Sequence, residues 1–207
     1  MKFGKEIQRG AVVGTYVSAH PDRAYIGDDY FVTKPVTDLA FDLEGAIGDR
    51  HHGLSTVSGG RFSTLYARDT TVRNNRQWSA ISPEEIQNIA AGLEVSELTP
   101  QLLGINLLVE GLGSVSQLPP MTYLIFSPEQ GDFRPQRPDD VTLIVYGEAL
   151  PCRIAGKALV EPYQRQDLES AFPKAAMGKR GTTGWVEKGG IVQPGHAVYA
   201  LTPTGKD

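Results

Sequence analysis

One cysteine, Cys152, stands in a chain of 207 residues. A single thiol cannot close an intramolecular disulfide, so no oxidising compartment is implied. One thiolate also cannot hold an iron–sulfur cluster. No segment approaches the roughly 18 apolar residues of a membrane span. The opening stretch MKFGKEIQRGAVVG lacks an apolar run long enough for a secretory signal. These absences favour a cytoplasmic protein and no membrane partner. Nor is there a basic excess: 20 Lys and Arg against 24 Asp and Glu give a net charge of −4, so the electrostatic footprint of a nucleic-acid binder is missing. Arg61, Arg68, Arg73 and Arg76 fall in one stretch, but Asp69 is among them, and they read as a solvated face. Glycine (23) and proline (14) are scattered. Low-complexity tracts, long linkers and repeats are all missing, and the chain reads as a single domain over 1–207.

What is present is an ordinary globular balance, 40% hydrophobic and 21% charged, enough for a substantial core. Short apolar runs between turn residues predict strands at Ala11–Val17, Val36–Leu43, Ile105–Gly111, Thr122–Phe126, Val141–Gly147 and Ala197–Leu201. In the second of these, Leu39, Phe41 and Leu43 would share one face. Ser82-Pro83-Glu84-Glu85 supplies an N-cap, a proline for the first turn and a capping-box glutamate. Ile86, Ile89, Ala90 and Leu93 follow with helical spacing, and Gly92 would end the helix in the left-handed conformation. A weaker helix is expected over Asp167–Phe172, limited by Pro173. Many strands and few helices argue for a β-barrel or sandwich with peripheral helices.

Three polar features interrupt this scaffold. EGAIGDRHHG, Glu44–Gly53, places Asp49, Arg50, His51 and His52 in a turn after an apolar strand, where binding residues often sit. Neighbouring side chains diverge on extended backbone, so His51 and His52 are not expected to share a metal. Asn106 interrupts the apolar run Leu102–Leu112; a buried asparagine must satisfy donors and acceptor and so tends to tie down a loop. Cys152 follows Pro151, which biases Leu150 towards extended backbone, so the thiol is expected where a strand ends. Arg153 beside it would favour thiolate, the form that attacks and binds metals; the alternative is a small inert hydrophobe. Further on, Gly178-Lys179-Arg180-Gly181 could cradle a phosphate or be a basic surface turn. Gln193-Pro194-Gly195-His196 reads as a type II turn, which makes His196 structural or exposed rather than catalytic.

The order of these pieces resembles the MOSC domain, named for the C-terminal domain of molybdenum cofactor sulfurases. The resemblance is carried by Gly48-Asp49-Arg50-His51-His52-Gly53, by Gly104-Ile105-Asn106-Leu107 continuing to Val109-Glu110-Gly111-Leu112, by Pro151-Cys152, and by Gly178-Lys179-Arg180-Gly181 through Gly184-Trp185 to Gly189-Gly190-Ile191 and Pro194-Gly195. It covers about Val36 to Leu201 and is nearest to the stand-alone bacterial members; residues 1–35 are expected to complete the barrel. The resemblance implies a mostly β fold built round a barrel like that of pyruvate kinase, with a few peripheral helices. It also implies that Cys152 is the functional cysteine, carrying sulfur as a persulfide or ligating molybdenum. Lys179, Arg180 and Arg50 would face the phosphate of a molybdopterin cofactor, Arg153 and Trp185 would belong to the same binding set, and Asp49, His51 and Asn106 would form the remaining wall, with Asp49 and His51 in catalytic positions.

Three functions follow. In the first, Cys152 binds the metal of the molybdenum cofactor and the site reduces N-hydroxylated compounds, with electrons from a transfer protein, since the chain has no flavin or iron–sulfur motif. In the second, Cys152 is a persulfide carrier loaded by a separate cysteine desulfurase; pyridoxal phosphate, associated with the family, is not expected in this chain. In the third, the barrel binds a small molecule and the thiol is inert, a variant being a zinc hydrolase using Asp49, His51 and Cys152.

Overall fold

The computed structural model describes residues 3–22, 31–59, 64–133 and 137–203; Arg61 lies outside them. Among the described residues, thirteen strands run in chain order: β1 (Phe3–Ser18), β2 (Thr33–Pro35), β3 (Leu39–Asp42), β4 (Gly45–Ala46), β5 (Ser55–Val57), β6 (Thr71–Arg73), β7 (Trp78–Ile81), β8 (Leu107–Glu110), β9 (Tyr123–Ser127), β10 (Val141–Glu148), β11 (Thr182–Lys188), β12 (Gly190–Val192) and β13 (Ala197–Pro203). The helices are α1 (Pro83–Gly92), α2 (Arg153–Tyr163) and α3 (Leu168–Ala176).

Seven strands close a barrel in the order β13-β9-β10-β11-β7-β8-β1, sealed by pairing of β1 with β13. The 16-residue β1 is long enough to pair with β13, β8 and β2 in turn. Neighbours are antiparallel except β7 and β8, which are parallel and joined through α1, as a crossover requires. Period-two alternation decides which side chains fill the barrel. Along β9, Leu124 and Phe126 point in while Ile125 packs outside; along β13, Val198 and Ala200 point in while Tyr199 packs outside. Trp78, Leu107, Val109, Leu143 and Val186 complete the interior. A second apolar cluster, with Ile81, Ile89, Leu103, Ile105, Leu159 and Phe172, glues the three helices to the outside of the wall.

The capping box forms as read: Ser82 Oγ accepts from the Glu85 amide at 3.3 Å and the Glu85 carboxylate accepts from the Ser82 amide at 3.1 Å. The end of α1 differs from expectation. Gly92 stays helical and the positive φ falls on Glu94, at 55°, because Gly92 serves packing: a β-carbon there would stand 3.2 Å from Ala175 Cβ of α3. Pro173 likewise lies inside α3 rather than ending it. It removes one amide donor, but Leu168, Phe172 and Ala176, each 0% exposed, form a continuous apolar face that carries the helix past it. Leu43 is 59% exposed, off the face shared by Leu39 and Phe41, since β3 stops at Asp42 and the chain turns. The Gln193–His196 turn is present, with Gly195 at φ 92° and the His196 amide donating to Gln193 O at 3.1 Å.

Candidate functional site

One rim of the barrel gathers most of the chemistry. The Asn106 amide donates to Ser79 O at 3.1 Å, Ser79 of β7 pairs with Thr183 of β11, and Thr183 pairs with Gly147 of β10. Residues of three adjacent strands and Asn106, just before β8, therefore form one row, and three strand spacings separate its ends by roughly 14 Å. The Asp49 turn hangs from the Asn106 end; the approach to Cys152 leaves from the Gly147 end.

At the first end, Asn106 is 3% exposed and fully occupied. Its Nδ2 donates to Asp49 Oδ2 at 2.9 Å and to Tyr16 O at 3.3 Å, and its Oδ1 accepts from the Ser79 amide at 3.0 Å. Asp49, 6% exposed, also accepts from the Ser18 amide and hydroxyl, each at 3.0 Å, and from the His51 amide at 3.0 Å. Burial alone would raise its carboxyl pKa. The hydrogen bonds and charge from His51, with the Asn106 amide, overturn that and hold it far below the usual carboxylate range. An ionised carboxylate accepts only, so the 3.2 Å contact to His51 Nδ1 is a donation from the ring. In the neutral ring the other nitrogen, Nε2, then keeps its lone pair. Burial, then the charges of Arg76 and Arg50, push the His51 pKa below the ordinary histidine value against the pull of Asp49. His51 is thus an oriented, neutral imidazole whose side chain is 29% exposed.

Arg50 turns towards β1, donating from Nη2 to His20 O at 2.8 Å and from Nε to Ser18 Oγ at 3.3 Å. His52 points elsewhere, its Nε2 against the Asp42 carboxylate at 2.9 Å, so the adjacent histidines diverge. Two side chains that the sequence reading did not single out clamp this turn. Asn74 Nδ2 donates to His51 O at 2.6 Å and Gly53 O at 2.9 Å. Gln77, 0% exposed, donates to Leu43 O at 3.0 Å and accepts from the Val186 amide at 2.8 Å. A polar pair just before an apolar strand was their only signal.

At the other end, Cys152 is half-buried and occupies the N-cap of α2 in extended conformation, with no side chain capping the first turn. It lies against the helix-side apolar cluster. Its neighbour Arg153 is 70% exposed and turns to Glu169 of α3 at 3.3 Å, away from a pairing with the thiol. Lys179 is half-buried in the loop before β11. Arg180, expected in that loop as a phosphate contact, is 3% exposed, donates to Leu103 O at 2.6 Å and stacks on the Phe172 ring at 6.0 Å; its cation belongs to the packing between α3 and the wall. Trp185 is on β11, its carbonyl accepting from Trp78 Nε1 at 3.0 Å and its ring under Arg73 at 5.2 Å.

Between the two ends lies a cavity of about 200 Å³ lined by Asn75, Arg76, Tyr146, Glu148, Leu150 and Thr183. Arg76, read from sequence as solvated, is a wall of this cavity and close enough to His51 to influence it. Among the described residues, no three His, Cys, Asp or Glu side chains converge as a metal-binding group; Asp49, His51 and Cys152 do not form one. No described helix is long and apolar enough to cross a membrane.

A closed barrel whose rim carries an Asp-Arg-His turn, a buried Asn and a Pro-Cys entry to a helix defines a class. The chain belongs to the MOSC domain family, whose sequence model matches residues 55–199, a family associated with the molybdenum cofactor. It is 34% identical over 184 residues, 88% of this chain and 90% of its partner, to the Bacillus subtilis (strain 168) protein YuaD, provisionally named for metal-sulfur cluster biosynthesis. The crystal structure of YuaD matches with TM-score 0.83 at 29% identity, covering 98% of this chain and all of that one. YiiM from Escherichia coli matches with TM-score 0.54 at 17% identity, over 96% of this chain and 72% of that one, a likeness of fold alone.

Proposed function

We propose that this protein handles the sulfur of the molybdenum cofactor through Cys152, accepting sulfane sulfur and passing it on at the barrel rim. The observation that carries this is the position of the thiol: half-buried, at the start of α2, where no side chain occupies the first-turn amides. First-turn amides that no side chain caps can donate to a group carried at that position. The residues also suit the cofactor. Lys179 and Arg76 would meet its phosphate, and the cofactor when bound would supply a metal–dithiolene centre to receive sulfur. The cavity of about 200 Å³ is smaller than the roughly 300–1,000 Å³ of sites that enclose a ligand of this size, which favours passing contact over permanent residence. The name of the YuaD relative points the same way. Loading balances as thiolate attack on a donor persulfide: a sulfur–sulfur bond forms on Cys152, that of the donor breaks, and the donor leaves as thiol; delivery as sulfide would take two electrons from an external dithiol, which becomes a disulfide as Cys152 returns to thiolate. The donor would be a cysteine desulfurase.

A second reading keeps Cys152 as a molybdenum ligand in a reductase of N-hydroxylated compounds fed by an electron-transfer protein. Its specific support is His51, an imidazole fixed by Asp49 and partly exposed at the rim, since such a reduction consumes protons that a ring cycling between its protonated and neutral forms can relay, and a pure carrier needs no such group. One experiment separates the two. The protein and its Cys152→Ser variant are expressed in molybdate-rich medium and purified, and molybdenum, pterin fluorescence and intact mass are measured. A single added sulfur on Cys152 without stoichiometric molybdenum is the expected result. Stoichiometric molybdenum that vanishes in Cys152→Ser selects the reductase. Neither signal leaves the inert barrel.

A further inference from the structure

The buried carboxylate of Glu85 does more than cap α1. It is 3% exposed, and while one oxygen accepts from the Ser82 amide, the other accepts from Ser114 Oγ and from the Ser116 amide, both at 2.8 Å. It therefore pins the 3₁₀ turn Val115–Gln117. That turn grips both ends of the Lys179 loop: Ser116 Oγ accepts from the Gly181 amide at 2.7 Å, and Gln117 Nε2 donates to Gly178 O at 3.2 Å. The same loop ends are tied on their other side to the chain leading to Cys152. The Gly178 amide donates to Glu148 Oε1 at 2.7 Å and the Ala149 amide donates to Gly181 O at 2.9 Å. Three residues of chain, at most about 11 Å, separate Ala149 from Cys152.

We infer that Glu85 and Ser116 are positioning residues, a buried clamp that sets the Lys179 loop against the Cys152 approach. The inference deepens the proposed function and rests on its assignment of Cys152 and Lys179 to one site. The arrangement has a physical logic. The loop ends are held by these hydrogen bonds, and the buried Glu85 side chain, accepting from Ser114 and Ser116, holds the turn that supplies them. The clamp's own anchor is the N-terminus of α1, where the carboxylate also meets the positive end of the helix dipole. Neither residue touches the cavity or the thiol, so any effect on Cys152 must travel through Gly181 and Ala149.

The test uses the full chain with Ser116→Ala, which removes the hydroxyl but leaves the capping box, and Ser116→Thr, which keeps it. Amide hydrogen exchange at Gly181, Ala149 and the core strand residue Leu124 is followed together with the rate of Cys152 alkylation by iodoacetamide. In Ser116→Ala, exchange should speed up at Gly181 and also at Ala149, whose own partner is untouched. Leu124 should stay as in the wild type, and Cys152 alkylation should rise about fivefold, the factor for one net hydrogen bond. Ser116→Thr should restore all three. An alkylation rate in Ser116→Ala that stays level or falls overturns the clamp, as does faster exchange confined to Gly181 or spread equally to Leu124. The functional assignment fails separately: it is judged by the sulfur and molybdenum content of the wild type, whereas the clamp is judged by the ratio between variants.

Discussion

Asn106 and Asp49 are 57 positions apart in the chain and joined by a buried hydrogen bond of 2.9 Å. The amide is wedged between the rim of β7 and the turn that carries His51, so one side chain fixes the position of the other end of the site. Removing it takes one of three donors from Asp49 Oδ2, leaving the Ser18 amide and hydroxyl, and deprives the buried Ser79 amide of its acceptor. Asn106→Ala should therefore lose about 2–3 kcal/mol in urea unfolding, the range for bonds to charged groups. A loss under about 0.5 kcal/mol would mean that Ser18 alone holds Asp49.

Acid should act on the same carboxylate. The Asp49 pKa in the folded protein is lowered, so its contribution is fully present above the unfolded value of about 3.9 and is lost as pH falls below that towards the folded value. Asp42 shifts in the same direction, chiefly through its hydrogen bond to His52 against the effect of burial, but its side chain is 46% exposed and solvent screens it. Denaturation curves between about pH 5 and pH 2 should show stability falling steeply in the wild type. Asp49→Asn should be less stable at neutral pH and flatter across that window; an unchanged slope would assign acid sensitivity elsewhere.

His51 titrates with the opposite chemistry but the same sign. Its folded pKa is lowered, first by burial, and so is that of His196, also by burial. Just below the unfolded value of about 6.5 the unfolded chain takes up protons that the folded protein refuses. Stability should therefore fall as pH drops through that value and level off below the folded one. The NMR titration of the His51 ring should have its midpoint below the ordinary histidine value. A midpoint above it would show that attraction to Asp49 outweighs burial and the two arginines.

Two glycines should respond in contrasting ways. A β-carbon on Gly184 would stand 1.7 Å from Ile144 O and 2.7 Å from the Trp78 ring, whereas one on Gly48 would meet nothing within 4 Å. Gly184→Ala must push β10 and β11 apart in the middle of the barrel and should yield no folded protein in the soluble fraction. Gly48, at φ 83°, should accept alanine at a strain cost of about 1–2 kcal/mol, visible as a lower midpoint in a thermal melt with the fold retained.

Much of the barrel was legible from local pattern. Short apolar runs bounded by turn residues marked β1, β9, β10 and β13, because β-branched and aromatic residues between turn formers are a local feature that needs no knowledge of partners. The capping box before Ile86 marked α1 for a similar reason, its two hydrogen bonds closing within one turn. The short strands β7 and β11 escaped notice. Their polar residues Ser79, Thr182 and Thr183 are buried at 8%, 0% and 3% exposure, satisfied by neighbours that only the closed sheet supplies. Helix α2 has Ala155, Ala158 and Leu159 at helical spacing, but its entry Leu150-Pro151-Cys152 has the local signature of a strand end.

Composition and local pattern were enough for an apolar core, many short strands, the capped helix, and which polar residues interrupt apolar runs, since these are local properties of the chain. Tertiary structure decided what those polar residues do. It buried Arg180 under Phe172 and turned Arg153 to Glu169, and it made Arg76 a cavity wall. It also recruited Asn74, Gln77, Glu85 and Ser116 to hold the two ends of the rim. A charge or amide has no fixed role until its solvent exposure and its partners are set, and here those partners lie on other elements of the fold, near in the chain for Arg153 and Glu169 and far for Arg180 and Leu103.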